Sequence, residues 1–264
     1  MTQSRVEDVW PLSPLQEGLL FHAHYDGQGP DVYVGQHVLE VSGPLDAGLV
    51  RASGQALVDR HAALRAGFRQ PAGSGQPVQV IARRVALPWR EADVSHLAGT
   101  QAVAEAERLA GEELARRFDL ATPPLLRFLL IRLGPGRHRL VVTNHHLVLD
   151  GWSLPVLLNE LWGIYAADGQ AGGLAPAASY REYLAWLGRQ DKQAAEAAWQ
   201  RELAGVDEPA LVAPGEPDRP PVVPENLDME LSEGLSAALR ALARSHDLTL
   251  NTVIQGAWGL LIGQ

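Results

Sequence analysis

Residues 125–153, LLRFLLIRLGPGRHRLVVTNHHLVLDGWS, decide the reading of this chain. Residues 125–133 and 138–143 predict two apolar strands, and Gly134-Pro135-Gly136 between them predicts a hairpin connection. The second strand runs into the polar loop Asn144-His145-His146, and Asp150-Gly151 follow. Ser153 is expected to cap a helix that reaches about residue 167, with Pro155 in its first turn, where a missing N–H costs nothing. Upstream, Ser13-Pro14 opens a helix over 15–24 and residues 33–41 alternate as a strand. Asp46 caps a helix with Leu49, Val50, Ala56 and Leu57 on its apolar positions. Residues 77–82 predict a short strand, and 100–118 a solvent-facing amphipathic helix. Downstream, 171–178 is a small-residue link, 180–203 reads as one long helix, and 206–224 is a Pro- and acid-rich linker. A strand at 227–231, a helix capped by Ser232 and an apolar helix at 251–262 complete the pattern. Interleaved strands and helices place the fold in the α/β or α+β class.

The chain has 264 residues and a formal net charge of −9, with 46% hydrophobic and 20% charged residues. That composition is ordinary for a globular protein and argues against wholesale disorder. The acidic balance argues against a protein built to neutralise phosphates, so no nucleic-acid partner is expected. No apolar run approaches the roughly 20 residues that span a bilayer, so no membrane partner is expected either. The start, with Glu7, Asp8, Trp10 and Pro11, lacks a signal-peptide layout, and a cytoplasmic location is expected. With no cysteine, disulfides, thiolate metal sites and cysteine nucleophiles are excluded.

Three readings of His145-His146-x-x-x-Asp150-Gly151 stand on the residues alone. Adjacent histidines can be satisfied in a core, with Asp150 as a turn residue. They can ligate a metal, although the spacing of two histidines on one helix face is missing. Or an imidazole, which titrates near neutrality, can move or position a proton at the end of a strand.

The stretch Asn144 to Ser153 resembles the active-site motif of condensation domains of nonribosomal peptide synthetases. Pro11-Leu12-Ser13-Pro14-Leu15-Gln16-Glu17-Gly18-Leu19-Leu20-Phe21-His22 resembles the family's opening motif. Arg60-His61-Ala62-Ala63-Leu64-Arg65-Ala66-Gly67-Phe68 and Ser179-Tyr180-Arg181-Glu182-Tyr183-Leu184-Ala185-Trp186 resemble two further motifs, in the family's order. Leu248 to Trp258 resembles the entry to the second half of such domains.

The resemblance implies a chloramphenicol-acetyltransferase-like lobe, the first half of a two-lobed, V-shaped domain. It implies a first lobe over 1–175, a connecting helix and linker over 176–226, and the start of a second lobe over 227–264. The implied reaction joins a donor acyl or peptidyl thioester to the amine of an acceptor aminoacyl thioester. The phosphopantetheine arms belong to upstream and downstream carrier proteins, so this chain is expected to bind no cofactor or metal itself. The rest of the condensation domain and an adjacent adenylation domain are further implied partners. His146 is implied to be catalytic, with His145, Asp150 and Gly151 supporting the loop. Trp152, Ser153 and Gln16 are tunnel candidates, and Asp150 is implied to pair with Arg60 or Arg65. The opening motif is most similar to condensation domains that take a D-configured donor. An epimerisation domain and a non-catalytic carrier-binding module are the alternatives; His145 and His146 argue against heterocyclisation.

The remaining features get plainer readings. His22 and His24 are taken as structural, and Tyr180, Tyr183 and Trp186 as one buried helix face. Arg83-Arg84 or Arg116-Arg117 can supply a basic docking patch. The apolar last helix predicts a missing partner surface, hence a weak or inactive piece when alone, dimerising through that helix.

Overall fold

The computed structural model describes residues 5–25, 31–70, 75–208 and 227–263. In chain order the elements begin with β1 (Val6–Pro11), α1 (Pro14–Tyr25), β2 (Val34–Ser42), α2 (Ala47–Arg60) and a 3-10 turn (Ala62–Arg65). Next come β3 (Ala66–Arg69), β4 (Val78–Ala82), β5 (Trp89–Asp93), α3 (Gly99–Ala115), β6 (Leu126–Gly134) and β7 (Arg137–His145). The helices α4 (Ser153–Ala166), α5 (Tyr180–Leu187), α6 (Lys192–Glu202), α7 (Glu233–Ser245) and α8 (Leu250–Ile262) follow. Two compact units result, Met1–Gln190 and Asp191–Gln264.

A four-stranded sheet in the order β2-β7-β6-β5 carries the expected hairpin at its centre. Strand β7 is antiparallel to both β2 and β6, and β5 joins the edge in parallel. Side chains alternate between the faces of a strand. Leu126, Phe128, Leu130, Leu140 and Val142 therefore pack on Val50 and Leu57 of α2 and on Leu157, Leu161 and Ile164 of α4. Leu129, Ile131, Leu133 and Val141 point the other way, onto Ala102, Ala106, Leu109 and Ala110 of α3. A sheet covered on both faces needs apolar residues at both parities, which is why 125–133 reads as an unbroken apolar run. A smaller antiparallel sheet, β1-β4-β3, packs Trp10, Phe68 and Ile81 with Leu20 of α1 and Leu184 of α5.

Several expectations are corrected. The helix expected at 180–203 is two helices, because Gly188 ends α5 and the Asp191 carboxylate restarts the chain by accepting from the Ala194 N–H. Helix α5, expected in the connecting region, packs on the first unit through Leu184. Residues 227–231 form no strand, although Ser232 caps α7 as expected. Strands β1, β3 and β5 were not anticipated; all three are short, and β5 reads Trp-Arg-Glu-Ala-Asp without an apolar alternation. Most of the expected linker, residues 209–226, lies outside the described residues. Among those described, no helix is long and apolar enough to cross a membrane.

One close approach ties β3 to the segment before β6. The Phe68 N–H donates to the Leu120 carbonyl at 2.7 Å, and a Cβ on Gly67 would lie 2.7 Å from the Ala121 carbonyl oxygen. Backbone cannot yield as a flexible side chain can. Gly67→Ala is expected to cost about 1–3 kcal/mol, read as a lower urea midpoint at constant m. An unchanged midpoint would show that the strand relaxes freely.

Candidate active site

β7 ends on His145, and His146 opens the turn that follows it. His145 turns inward and is fully buried. Its Nδ1 accepts the Leu147 N–H at 3.1 Å, so the neutral ring carries its proton on Nε2. That nitrogen lies 3.3 Å from Asp31 Oδ2. Burial pushes the Asp31 carboxyl up, but His145, the Tyr33 N–H and Arg117 outweigh it and hold the group below its ordinary value. The Phe118 ring meets His145 edge-on at 6.5 Å, and the Arg127 guanidinium lies 4.0 Å over Phe118. Arg127 Nε is 3.0 Å from Glu113 Oε2, and its Nη2 donates to the carbonyls of Glu113 and Arg116. Burial pushes Arg127 down to about 10, helped by Arg116 and opposed by Glu113. A buried polar layer thus supports the first histidine.

His146 turns outward and is exposed. Its backbone N–H donates to the Tyr33 carbonyl at 2.9 Å, and its Nδ1 lies 3.1 Å from the Leu149 carbonyl oxygen. A carbonyl only accepts, so this contact places the proton of the neutral ring on Nδ1 and leaves the Nε2 lone pair free. The ring lies beside Gly35: a Cβ there would be 3.5 Å from Nε2. His37, two residues on along β2, is held below its ordinary pKa chiefly by burial.

The loop is anchored at successive residues. Gln16 is buried and donates to the Leu147 carbonyl at 2.8 Å, while its Oε1 accepts from the Ser13 N–H and from Gln79. Gln16 is therefore a clamp between α1 and the histidine loop rather than a tunnel lining. The Val148 N–H returns to the His145 carbonyl, and Asn144 Nδ2 donates to Leu149.

Asp150 pairs with neither expected arginine. Its carboxylate accepts the Ser153 N–H at 2.8 Å and the Ser153 hydroxyl at 2.6 Å. The Ser153 hydroxyl, with backbone amides, outweighs burial and holds the Asp150 carboxyl below its usual range. Arg60 bonds Glu160 of α4, and Arg65 is buried against Glu7 and the carbonyls of Val58 and Ala82. Both guanidiniums are thus satisfied elsewhere, and the bare amides at the start of α4 offer Asp150 nearer donors. Ser153 is the first residue of α4, not its cap. Removing the Asp150 carboxylate should accordingly cost about 1 kcal/mol, the scale of a helix cap, rather than that of a buried ion pair.

Trp152 is 89% exposed and Ser153 is also exposed. Gly151 has open space where a Cβ would sit and no left-handed φ, so the turn itself does not require glycine. Tyr180, Tyr183 and Trp186 are not a buried face. They form a half-exposed ladder with ring centroids 5.5 and 5.8 Å apart, and Leu184 makes the buried contact. His22 is exposed with its ring 6.2 Å from Tyr33, and the side chain of His24 lies outside the described residues. Arg116 lies 3.5 Å from Glu113 and Arg117 3.9 Å from Asp31, so acids face both. Among the described residues no cluster of three metal-ligating side chains occurs.

Glu160 also locks α4 to α2: it meets Arg60 at 3.0 Å and His61 Nε2 at 2.6 Å. Burial raises its pKa, but His61 and Arg60 prevail and hold it below its ordinary 4.5. The unfolded chain then binds more protons than the folded one in this range, so the stabilisation is full above about pH 4.5 and is lost as pH falls through the lower folded value. The melting temperature should fall from pH 6 towards about pH 3, and less steeply in Glu160→Gln. Equal slopes in the two proteins would remove Glu160 from the account.

The family model described as "Condensation domain" matches residues 6–264, and the chain belongs to that family. It is 38% identical over 266 residues to one of the linear gramicidin synthase proteins of Brevibacillus parabrevis, covering 98% of this chain and 3% of that protein. It is 32% identical over 269 residues to bacitracin synthase 3 of Bacillus licheniformis, covering 98% of this chain and 4% of that protein. The chain thus spans a small part of these relatives. The first condensation domain of the calcium-dependent antibiotic synthetase, solved with a substrate analogue, superposes with a TM-score of 0.77 at 22% identity. That match covers 97% of this chain and 61% of the other, and it shows a shared fold.

Proposed function

We propose that this chain forms amide bonds between two carrier-bound substrates. The nitrogen of an acceptor aminoacyl thioester attacks the carbonyl of a donor acyl or peptidyl thioester. The C–S bond breaks, and the donor carrier's phosphopantetheine thiol leaves with a proton. The observation that carries this reading is the exposed His146 with its Nδ1 on the Leu149 carbonyl, which leaves Nε2 free to take the amine's proton or to hold a neutral amine. The open space at Gly151 supports passage of a thioester arm beside the loop. The upstream and downstream carrier proteins, the rest of the condensation domain and an adenylation domain are the partners of this reading. The opening motif at 11–22 supports a D-configured last residue on the donor. Helix α8 exposes Ile254, Trp258, Leu260 and Leu261, which supports association through that helix and weak activity of the chain alone; light scattering checks the former.

The test uses one carrier protein loaded with donor and one with acceptor, and follows the amide product by mass spectrometry, with L- and D-terminated donors compared. Product that depends on the chain and vanishes with His146→Ala supports the proposal. Carrier binding with turnover no higher than background, even when the rest of a condensation domain is supplied, would make the chain a binding module.

A further inference from the structure

We propose that Asn144 is a positioning residue for His146: through the Leu149 carbonyl it fixes which imidazole nitrogen carries the proton. The proposal rests on the reading of His146 as the reacting group. Asn144 is 1% exposed near the end of β7, paired with Gly35 of β2. Its Nδ2 donates to the Leu149 oxygen at 3.3 Å, and His146 Nδ1 reaches the same oxygen at 3.1 Å. One carbonyl oxygen has two lone pairs and accepts both donors. The asparagine therefore aims the carbonyl, and the carbonyl selects the tautomer with Nε2 unprotonated. The amide orientation follows from the contact, since a flipped amide would set oxygen against oxygen.

The other end of the side chain shows that packing is not the reason for an asparagine here. Asn144 Oδ1 is buried and has no hydrogen-bond partner among the described residues, in the same neighbourhood: a Cβ on Gly35 would lie 3.7 Å from it and 3.5 Å from His146 Nε2. An unpaired buried acceptor opposes folding, and a leucine of similar size would remove it. Among the described residues, the one side-chain bond that Asn144 makes goes to the carbonyl that holds His146.

The test measures the His146 tautomer by long-range proton–nitrogen NMR on the labelled full chain at about pH 8.5, where a free imidazole is neutral. His146→Ala assigns the signal. The wild-type chain should show the proton on Nδ1. Asn144→Leu and Asn144→Asp each remove the donor to Leu149, the latter at nearly unchanged size. In the folded variants the signal should move towards a mixture with the Nε2 proton. The kcat for amide formation should fall about tenfold to a hundredfold with KM little changed, and Asn144→Leu should melt no lower than wild type. A wild-type proton on Nε2, or folded variants that keep Nδ1 protonated, would overturn the proposal. The tautomer is read without substrate, so it is independent of the catalytic reading: turnover that survives His146→Ala would defeat that reading alone.

Discussion

His146→Ala is expected to lower kcat for amide formation by about a hundredfold to ten-thousandfold, the range supplied by a positioned acid–base group. The melting temperature should hardly change, because the ring is exposed and, among the described residues, its one side-chain bond goes to a loop carbonyl that Asn144 also holds. The thioester is already an activated acyl donor, and holding the two substrates accounts for part of the rate. A residual rate above background is therefore expected. His145→Ala serves as the contrast. That ring is fully buried between Asp31 and Phe118, so its loss should lower stability along with activity. Two neighbouring histidines with opposite profiles, one kinetic and one structural, would confirm the division between the buried and the exposed ring. A His146→Ala chain within threefold of the wild-type rate would remove His146 from the chemistry.

The second large effect lies beneath the site. Glu113→Ala is expected to destabilise the chain by about 3–5 kcal/mol, because it strands the Arg127 charge in the interior. Both side chains are about 5% exposed, and Arg127 is already pushed down to about 10 by burial. For a unit of this size that loss corresponds to a melting temperature lower by about 6–20 °C. Arg127 also sits over Phe118, whose edge meets His145, so the loosened guanidinium should disturb the layer under the histidine loop. Arg127→Met combined with Glu113→Leu should recover most of the loss, since a buried pair replaced by apolar residues is often neutral. If Glu113→Ala melts within about 2 °C of wild type, water reaches Arg127 and the layer is not closed.

The hairpin, its loop and the helix after it were legible because they are local. An apolar run, a Gly-Pro-Gly turn and a capped helix each act within a few residues, and β6, β7 and α4 follow them closely. The motif containing His145 and His146 was legible for the same reason. Strands β1, β3 and β5 were not, since each is held by pairing with a distant segment: β1 and β3 both pair with β4, and β5 with β6. Asp31 gave no signal at all, lying 114 positions before His145 in the chain. Asn144 was visible within the motif, but its link to Leu149 was not.

The residue identities alone determined that two imidazoles, a carboxylate and a glycine stand at the end of an apolar strand. The arrangement of distant segments decided what each does. The end of β7 placed one histidine in the polar layer of Asp31, Phe118 and Arg127, and the turn after it left the other beside Gly35. Packing also gave Arg60 to Glu160 and Arg65 to Glu7, so Asp150 turned to Ser153 instead. A charged group takes the partner that the fold brings within hydrogen-bond reach, and that distance is set by tertiary packing rather than by spacing along the chain.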